Sequence, residues 1–518
     1  MIQRNVLEEA VERGLEYLRT IPDIREAELF VASNGMLLTR LNYTSHIPCN
    51  GVEEPKSTES YGIGLQAVFR TPEGTKIGFG SEPSDLSLEG VRSALEKARQ
   101  GAVSDPEFVS LPIPSIEERA LYDYHDPQLM ELQDPDLVGA GWKVVHGTLE
   151  TLSRSERLLS LAGSPEGLKR LGLIVGGDVT ILQERMAIGS YKFPQIQTDE
   201  STLLMAFITS MVEGKESKGS GWSTGTHLRD FAGDAGSEAA RNAIQAIDGQ
   251  RIKDGEYRII FGPQPLTDLL NNLVLPSLSL DHFYNASSTF LGKFGRQVAS
   301  EKLIIYDDGA RPGLMGSKGI TCEGLPTGRT NLIHHGVLMG LLSNFYETQK
   351  ILRDPQAREK LGVDPTEHRL ALMPRNGFRF ARGGGRSFDS QPGISPTNVM
   401  VEGTHECSLE ELLQQVGDGI YVGRIWYTYP INGLRAGDFT CTVVGDSYIV
   451  KGGQIVAPLK PNTVRINDNI HKVLNNILGI AREKRGTLVW AADEVVYAPE
   501  IAVEGIRVNE IASFMEGI

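Results

Sequence analysis

The chain has 518 residues, of which 40% are hydrophobic and 23% are charged, and its formal net charge is −15. This length suffices for two to four domains with sizeable cores. The acidic balance argues against direct binding of nucleic acid, because a phosphate-binding surface needs clustered Lys and Arg. No apolar run reaches the roughly 18 residues of a membrane span, and no signal peptide is recognisable. We therefore expect a cytoplasmic protein that makes no membrane contact.

Residues 1–110 are predicted to form an N-terminal α+β domain. Apolar residues at helical spacing predict a first helix over residues 1–18, and alternating residues predict strands after it. Asn34-Gly35 is a strong hairpin signal between two of these strands. In chain order the predicted elements are a helix (1–18), two strands (25–35 and 36–44), a second strand pair (62–70 and 76–82) that turns at residues 72–74, and a helix (86–99).

Residues 111–250 are predicted to form a middle domain, reached through a Pro-rich and acidic linker at residues 104–126. Its predicted elements are helices at 136–153 and 235–247 and strands at 167–186 and 201–214. Trp222 lies in a Gly- and Ser-rich stretch, residues 215–225. We favour a tryptophan that packs this stretch onto the core, with a peptide groove as the alternative.

Residues 251–518 are predicted to form a C-terminal β-rich domain. It opens with a strand at 257–261, followed by a helix whose apolar residues recur at i, i+3, i+4, i+7 and i+8. Those residues are Leu266, Leu269, Leu270, Leu273 and Val274. Pro276 is expected to end the helix.

Three motifs follow this helix: DDG at residues 307–309, EGLPTGRT at 323–330 and LIHHGVLMG at 332–340. Together with GDGIYV, AGDFTCTV and GGQIVAPLK near the C-terminus, they resemble the TldD/TldE (PmbA) family, some of whose members are called modulators of DNA gyrase. The resemblance implies an α+β fold, with a mixed α/β N-terminal part and a β-rich C-terminal domain.

The resemblance also implies what this chain lacks. In the catalytic branch, TldD, the helix carries an HExxxH zinc motif. Laid on that motif without gaps, Asn271 and Asn272 replace the first His and the Glu, Pro276 replaces the second His, and Ser279 replaces a later Glu. Catalytic zinc needs three ligands from His, Cys or carboxylate, and a nearby base. The family's third ligand is a Cys near the C-terminus, but residues 485–500 contain none.

Loss of all these groups together matches the non-catalytic TldE/PmbA branch. The resemblance then implies no metal and no other cofactor in this chain, with zinc held by a TldD-like catalytic partner. The two subunits would form a heterodimer that encloses an unfolded peptide, and this subunit would position the peptide and exclude water. Without that partner, a homodimer through the same surface is the alternative.

After residue 340 the pattern is irregular as far as residue 398. Four arginines lie in this part, Arg375, Arg379, Arg382 and Arg386. We favour a solvated loop, with a site for a substrate carboxylate or for a partner's acidic face as alternatives. Ser408-Leu-Glu-Glu has capping-box spacing and predicts a helix that ends at Gly417. Strands are predicted at 420–429, 438–450 and 452–460, and a last helix at 467–481.

Other candidate sites have simple structural interpretations. His405-Glu406-Cys407 offers three metal-binding groups, but adjacent residues rarely point at one ion. His334-His335 is favoured as a turn between strands, and Asp307-Asp308-Gly309 as a turn that ends a strand rather than a cation site. Cys49, Cys322, Cys407 and Cys441 lack CxxC spacing and predict reduced thiols. Two functional alternatives remain: a self-sufficient hydrolase that uses His405, Cys407 or His334, and a regulator of gyrase or another target.

Overall fold

The computed structural model describes residues 1–47, 51–380, 385–488 and 495–511. One antiparallel sheet forms the centre of the N-terminal half. Its strands are β1 (Ile24–Thr44), β2 (Gly51–Val52), β3 (Lys56–Thr71), β4 (Gly74–Pro83), β5 (Leu173–Ser190), β6 (Gln197–Val212) and β7 (Ser217–Gly225). They pair in the order β4-β3-β1-β5-β6-β7, with β2 attached to β1.

The predicted hairpin at Asn34-Gly35 is wrong, because β1 continues through it as one strand. Asn34 pairs with Ser60 of β3 on one side and with Glu184 of β5 on the other. A strand with hydrogen-bonded neighbours on both sides has no room to turn. At Gly35 an added Cβ would lie 2.4 Å from Gln183 Oε1, so that side chain would have to move aside for a larger residue. The second predicted pair, β3 and β4 with a turn after Thr71, is confirmed.

Helices cover one face of this sheet. They are α1 (Arg4–Arg19), α2 (Leu88–Gln100), α3 (Pro127–Met130), α4 (Asp134–Ser153), α5 (Glu156–Ala162) and α6 (Asp234–Gln245). Leu29 of β1 packs against α1 and α2, and Leu41 packs against α4 and α6. The next residue along from Leu29, Phe30, points to the opposite face, where it meets Phe378 and Phe388 of the C-terminal half. The sheet is therefore enclosed on both sides.

Strands from the first two predicted domains lie in one sheet. β1 belongs to the predicted first unit and β5 to the predicted middle unit, yet the two pair from Glu28 and Ser190 to Thr44 and Ile174. The boundary at residue 110 lies in the irregular stretch between α2 and α3. The division into three domains stays a prediction.

The C-terminal half contains two large sheets and one two-stranded sheet. Its strands are β8 (Gly255–Phe261), β9 (Leu303–Asp308), β10 (Arg329–His334), β11 (Val337–Leu338), β12 (Gly377–Phe378), β13 (Gly393–Ile394), β14 (Asn398–Gly403), β15 (Glu406–Cys407), β16 (Gly419–Val422), β17 (Arg424–Pro430), β18 (Asp438–Gly445), β19 (Tyr448–Lys451), β20 (Gln454–Pro458), β21 (Val464–Asn469), β22 (Ile477–Ala481), β23 (Arg485–Thr487), β24 (Val495–Ala498) and β25 (Ile501–Glu510). The larger sheet runs β17-β18-β21-β25-β8-β16-β19-β20, and the smaller runs β11-β10-β9-β14-β24-β23. The predicted α+β class with a β-rich C-terminal domain is confirmed.

Short helices pack against these sheets and against one another: α7 (Pro263–Leu269), α8 (Leu275–Ser277), α9 (Leu280–Tyr284), α10 (Phe345–Ile351), α11 (Ala357–Leu361), α12 (Leu409–Val416) and α13 (Ile470–Asn475). A π-helical turn, Leu270–Val274, joins α7 to α8. We call the continuous stretch of residues 263–277 the motif helix. It ends one residue after Pro276, close to the predicted end.

Two further sequence predictions have opposite outcomes. The capping box at Ser408 is confirmed, because Ser408 and Glu411 each bond the other's backbone N–H. The helix predicted at 467–481 is wrong. Its residues form the end of β21, the short α13 and β22, since Ile466 pairs with Cys441 and Val508 in the sheet. Within the part of the chain that is described, no helix has the length and apolar character needed to cross a membrane.

Candidate functional site

The motif helix is anchored deep in the C-terminal half. It leaves β8 at Gly262, and Pro263 occupies its first turn, where the missing N–H costs nothing. All of the side chains from Gln264 to Leu270 are buried. The apolar spacing seen in the sequence therefore buries this stretch on several sides rather than along a single stripe.

Asn271 and Asn272 lie in the π-helical turn. Leu275 N–H donates to Leu270 O, five residues back. Pro276 has no N–H and so cannot make the ordinary hydrogen bond to the carbonyl four residues back. A wider turn just before Pro276 therefore loses fewer hydrogen bonds than the same turn would in the middle of a regular helix. Turns of this kind occur frequently at functional sites. Asn271 and Asn272 therefore lie where the helix is locally distorted.

The side chains at the motif positions do not converge on a common point. Asn272 is exposed and folds back on its own helix, donating to Asp268 O at 2.8 Å and to Asp268 Oδ1 at 3.2 Å. The buried Oδ1 of Asn271 has no hydrogen-bond partner among the described residues. Ser279 donates to Asp281. Amide and pyrrolidine side chains are poor zinc ligands, so these residues do not fit a catalytic zinc ion.

Asp268 is the carboxylate that sequence reasoning missed. It is 5% exposed, and burial raises its pKa to about 6 despite hydrogen bonds from Thr428 and Asn272. The thiol of Cys441 lies close enough that the charge of Asp268 contributes, after burial, to raising the thiol pKa. The sequence signal that could have identified Asp268 is a single Asp among the apolar residues of a predicted helix. Even so, the described residues contain no group of three His, Cys, Asp or Glu side chains arranged to hold a metal ion.

Strand β17 lies against the motif helix and forms the edge of the larger sheet. Gln264 bonds both backbone groups of Ile425: its Oε1 accepts from the N–H at 3.0 Å, and its Nε2 donates to the carbonyl at 3.3 Å. Beyond this point β17 bulges, and Tyr427 adopts φ 56°. Tyr427, Tyr429 and Ile431 are 71%, 53% and 51% exposed. We call these three residues the β17 edge.

A cavity of about 400 Å³ separates the N-terminal sheet from the motif helix. Trp222 and Trp426 form part of its wall, together with Gln264 and Arg424. Trp222 is 9% exposed, donates from Nε1 to Gly486 O at 3.3 Å, and carries the Arg485 guanidinium 3.5 Å from its ring centre. The predicted packing role of Trp222 is therefore confirmed, and the same ring also lines a cavity.

The arginines after residue 374 are not in a solvated loop, so that prediction is wrong for the three that are described. Arg375 binds Glu117, Arg379 binds Glu28 at 2.6 Å and Arg386 binds Asp199 at 2.6 Å. Arg379 and Arg386 are the two largest of the fully buried side chains among the described residues. Arg382 lies outside the described residues. Arg379 and Arg386 join the C-terminal half to the N-terminal sheet. Sequence patterns could not reveal these pairs, because the partners are far apart along the chain.

Asp199 is the centre of this buried network. Besides Arg386, it accepts from Arg119 Nη2 at 2.7 Å and from the Tyr124 hydroxyl at 2.6 Å. The neighbouring Glu184 binds Lys318 and lies 3.8 Å from Arg386. Burial alone would raise the pKa of Glu184, but the charges of Lys318 and Arg386 outweigh it and lower the pKa to about 2. Glu184 is therefore ionised across the neutral range, and its partners hold it in a structural ion pair.

The other candidates have structural roles. His405 is exposed, Glu406 binds Lys484 at 2.8 Å, and Cys407 pairs with Ala481 in the sheet, so the three do not converge. The turn at His334-His335 is confirmed, with φ 49° at His335 and 74° at Gly336.

The predicted turn at residues 307–309 is also confirmed, since β9 ends at Asp308. Asp307 is buried and accepts from Thr397 N at 2.7 Å and from Asn376 Nδ2 at 2.8 Å. Cys322, Cys407 and Cys441 are free thiols, as predicted, whereas Cys49 lies outside the described residues.

Comparison with known proteins identifies relatives of this chain. A family model described as the PmbA/TldA metallopeptidase C-terminal domain matches residues 254–510. The chain is 27% identical over 245 residues to "Metalloprotease slr0863" of Synechocystis sp., a match that covers 47% of this chain and 46% of the relative. It thus spans about half the length of that relative. Against "Metalloprotease PmbA" of Escherichia coli O157:H7 it is 21% identical over 510 residues, 97% of each chain.

A solved structure shares the fold. The crystal structure of TldE from Thermococcus kodakarensis superposes with a TM-score of 0.75 at 17% sequence identity, covering 97% of this chain and 100% of that one. Matches to the C-terminal family model, to curated relatives and to this fold all agree with the motifs at residues 307–340. On these grounds the chain belongs to the TldD/TldE (PmbA) family.

Proposed function

We propose that this chain is the non-catalytic, TldE/PmbA-like subunit of a TldD/TldE-type metallopeptidase. The observation that carries the proposal is the motif helix, in which Asn271, Asn272 and Pro276 supply neither zinc ligands nor a base. In this role a TldD-like partner holds the zinc, and the two subunits enclose an unfolded peptide. Activity resides in the complex, and this chain contributes walls, peptide positioning and exclusion of water.

The β17 edge supports an interaction at this place. An edge strand presents unpaired backbone groups that can pair with another chain. Exposed tyrosines and an isoleucine grouped on such an edge are typical of binding surfaces, where large aromatic side chains contribute strongly to affinity. Because β17 packs on the motif helix through Gln264, a partner or peptide on this edge would lie beside the replaced motif.

The test measures zinc content and peptidase activity of the purified chain, alone and mixed with a TldD-like protein from the same organism. We expect the chain alone to carry less than stoichiometric zinc and to cleave nothing. Mixing should give a larger complex that cleaves an unfolded peptide. Stoichiometric zinc and cleavage by the chain alone would overturn the proposal.

Substitution of the β17 edge tests its share in the complex. Tyr427→Asp places a charge at a position that is 71% exposed, so folding should be retained while assembly or peptide cleavage weakens at least tenfold. The matched control is Ile116→Asp, at an 89% exposed apolar residue in the linker before α3. Equal assembly and equal cleavage by the two variants would show that the β17 edge takes no part in the complex.

Two other functions make different predictions. A self-sufficient hydrolase using His405, Cys407 or His334 requires turnover without a partner, lost on substitution of those residues. A regulator that binds DNA directly requires a DNA mobility shift at low salt, which the net charge of −15 disfavours. Neither has a converging group of side chains among the described residues to support it.

A further inference from the structure

An acidic cavity of about 720 Å³ lies between the N-terminal sheet and α10. β3 and β4 contribute Gln66 and Phe79, and α10 contributes Phe345 and Tyr346. The described residues that line it include no Lys, Arg or His. Its carboxylic side chains are Glu28, Asp105, Asp281, Glu323, Glu347 and Asp389.

Two of these carboxyl groups are deeply buried and incompletely paired. Glu28 is 1% exposed, and its Oε1 accepts from Arg379 Nη2 at 2.6 Å. Glu347 is 9% exposed, and its Oε1 accepts from Lys350 at 3.0 Å. On both residues Oε2 is buried without a hydrogen-bond partner among the described residues. Leaving such an acceptor unpaired is unfavourable, and an incoming N–H donor would remove that cost.

The cations next to the cavity are already committed to other groups. Arg379 also donates to Ser390 O at 3.0 Å. Lys350 lies 3.8 Å from the centre of the Tyr284 ring and 3.6 Å from Glu107. Glu323 makes no ion pair with any described residue, and its two oxygens share the single N–H of Phe345. Burial accordingly raises the pKa of Glu323 to about 8. Among the described residues, only Glu28 and Glu347 of the six lining acids make ion pairs, so the carboxyl groups outnumber the cations beside the cavity.

The arrangement of these acids favours an organic ammonium over other cations. No three of the described His, Cys, Asp and Glu side chains are grouped to hold a metal ion. A guanidinium binds best to a carboxylate with both oxygens free, but Oε1 is occupied on both Glu28 and Glu347. An ammonium donates three separate hydrogen bonds and suits single oxygens on different residues. Phe79 and Tyr346 provide apolar wall for an attached methylene chain.

We propose that this cavity binds a primary alkylammonium group, either the end of a polyamine or an amino group of a peptide. The inference does not depend on the proposed partner-subunit function. Binding is non-covalent: the ammonium donates to the free oxygens of Glu28 and Glu347, and the alkyl chain lies against the aromatic wall.

Calorimetric titration of the full chain tests the proposal. The probes are n-butylammonium, the neutral n-butanol and n-butylguanidinium, each at pH 7. Butylammonium should bind at least tenfold more tightly than the other two, because only it combines charge with separate donors. Equal affinity of butylammonium and butanol would overturn the proposal.

Variants then locate the site. Glu347→Gln and the rim substitution Asp389→Asn should each weaken butylammonium binding, the former by about tenfold, equivalent to 1.4 kcal/mol. Asp389 is exposed, so its variant remains informative if Glu347→Gln fails to fold. The matched control is Glu406→Gln, whose carboxylate binds Lys484 at 2.8 Å outside the cavity, and it should bind normally. Unchanged affinity in both cavity variants contradicts the assignment.

The source of the ammonium group is distinguished by two further probes. Spermidine represents the polyamines, and Nα-acetyl-lysine methylamide represents a peptide side chain. The tighter ligand identifies the source, and either result supports the ammonium site. Failure of both to displace butylammonium would overturn it.

Discussion

Arg386 donates to Asp199 across 2.6 Å, and both side chains are fully buried. The pair joins a residue in a Gly-rich stretch of the C-terminal half to β6 of the N-terminal sheet, 187 positions away in sequence. Asn34 reinforces the same junction by donating to Arg386 O at 3.1 Å. The two halves are thus held together by ionic and polar contacts as well as by the apolar packing around Phe30.

Removal of Arg386 should strongly destabilise the protein. Arg386→Met leaves Asp199 and Glu184 buried with less positive charge beside them, and loss of one member of a buried ion pair typically costs about 3–5 kcal/mol. Urea unfolding followed by circular dichroism measures the change. The control is Arg154→Met, which removes a 78% exposed arginine paired with Glu150 and should alter stability by less than about 0.5 kcal/mol. Similar values for the two variants would mean that the network contributes little.

Two Gly→Ala substitutions should change the stability of the protein in opposite directions. In Gly64→Ala the new methyl group would lie 2.3 Å from Phe388 O and 3.1 Å from Arg379 Nη1, so the segment containing these residues must shift, at about 1–3 kcal/mol. Gly139→Ala, in the exposed part of α4, has no atom within 4 Å of the added carbon. It should stabilise the protein by about 0.5–1 kcal/mol through helix propensity. Thermal unfolding of both variants checks the signs.

Titration of the buried Glu323 carboxyl should lower the free energy of unfolding as pH rises. Its pKa is raised from 4.5 to about 8, so the folded state holds a proton that the unfolded state releases between these values. The resulting stabilisation is complete below pH 4.5 and disappears as pH rises through 8, at up to about 1.4 kcal/mol per pH unit. Glu323→Gln is neutral throughout and should reduce this slope between pH 5 and 8.

Urea unfolding at each pH, on wild type and variant, measures the difference in slope. Buried Asp268, Asp307 and Asp446 also have pKa values raised to about 6 and act in the same direction, but they are unchanged in the variant. The exposed Glu504→Gln serves as control and should keep the wild-type slope. A slope in Glu323→Gln equal to wild type would show that Glu323 does not hold its proton in this range.

Gln264 should be required for the position of β17. Gln264→Leu keeps the helix apolar but leaves both backbone groups of Ile425 without this partner, at a cost of about 1–3 kcal/mol. Amide hydrogen exchange should accelerate at Ile425 and along β17, with little change in β20 at the far edge of the same sheet. Gln100→Leu, at an exposed position at the end of α2, is the control. Uniform exchange changes across the sheet would point to general destabilisation rather than to a local role.

Features that depend on near neighbours in the chain were predictable from the sequence. The capping box at Ser408 needs only the backbone and side chain of Glu411, three residues on. The strand pair joined after Thr71 depends on a short turn, and the start of the motif helix depends on Pro263 and its apolar spacing. The lack of zinc-binding side chains at Asn271, Asn272 and Pro276 was likewise readable, because side-chain chemistry does not depend on the fold.

Features that depend on distant partners were decided by the tertiary structure. Asn34-Gly35 is a turn signal in isolation, yet sheet pairing with β3 and β5 on both sides keeps β1 extended. Arg379 and Arg386 resemble loop arginines until Glu28 and Asp199, more than 180 positions away, provide buried carboxylates. A buried charge is stable only beside its partner, and a strand is fixed by its neighbours. Local sequence determined where several elements begin and which side chains lack metal-binding groups, whereas long-range pairing determined which polar residues are buried and where the cavities lie.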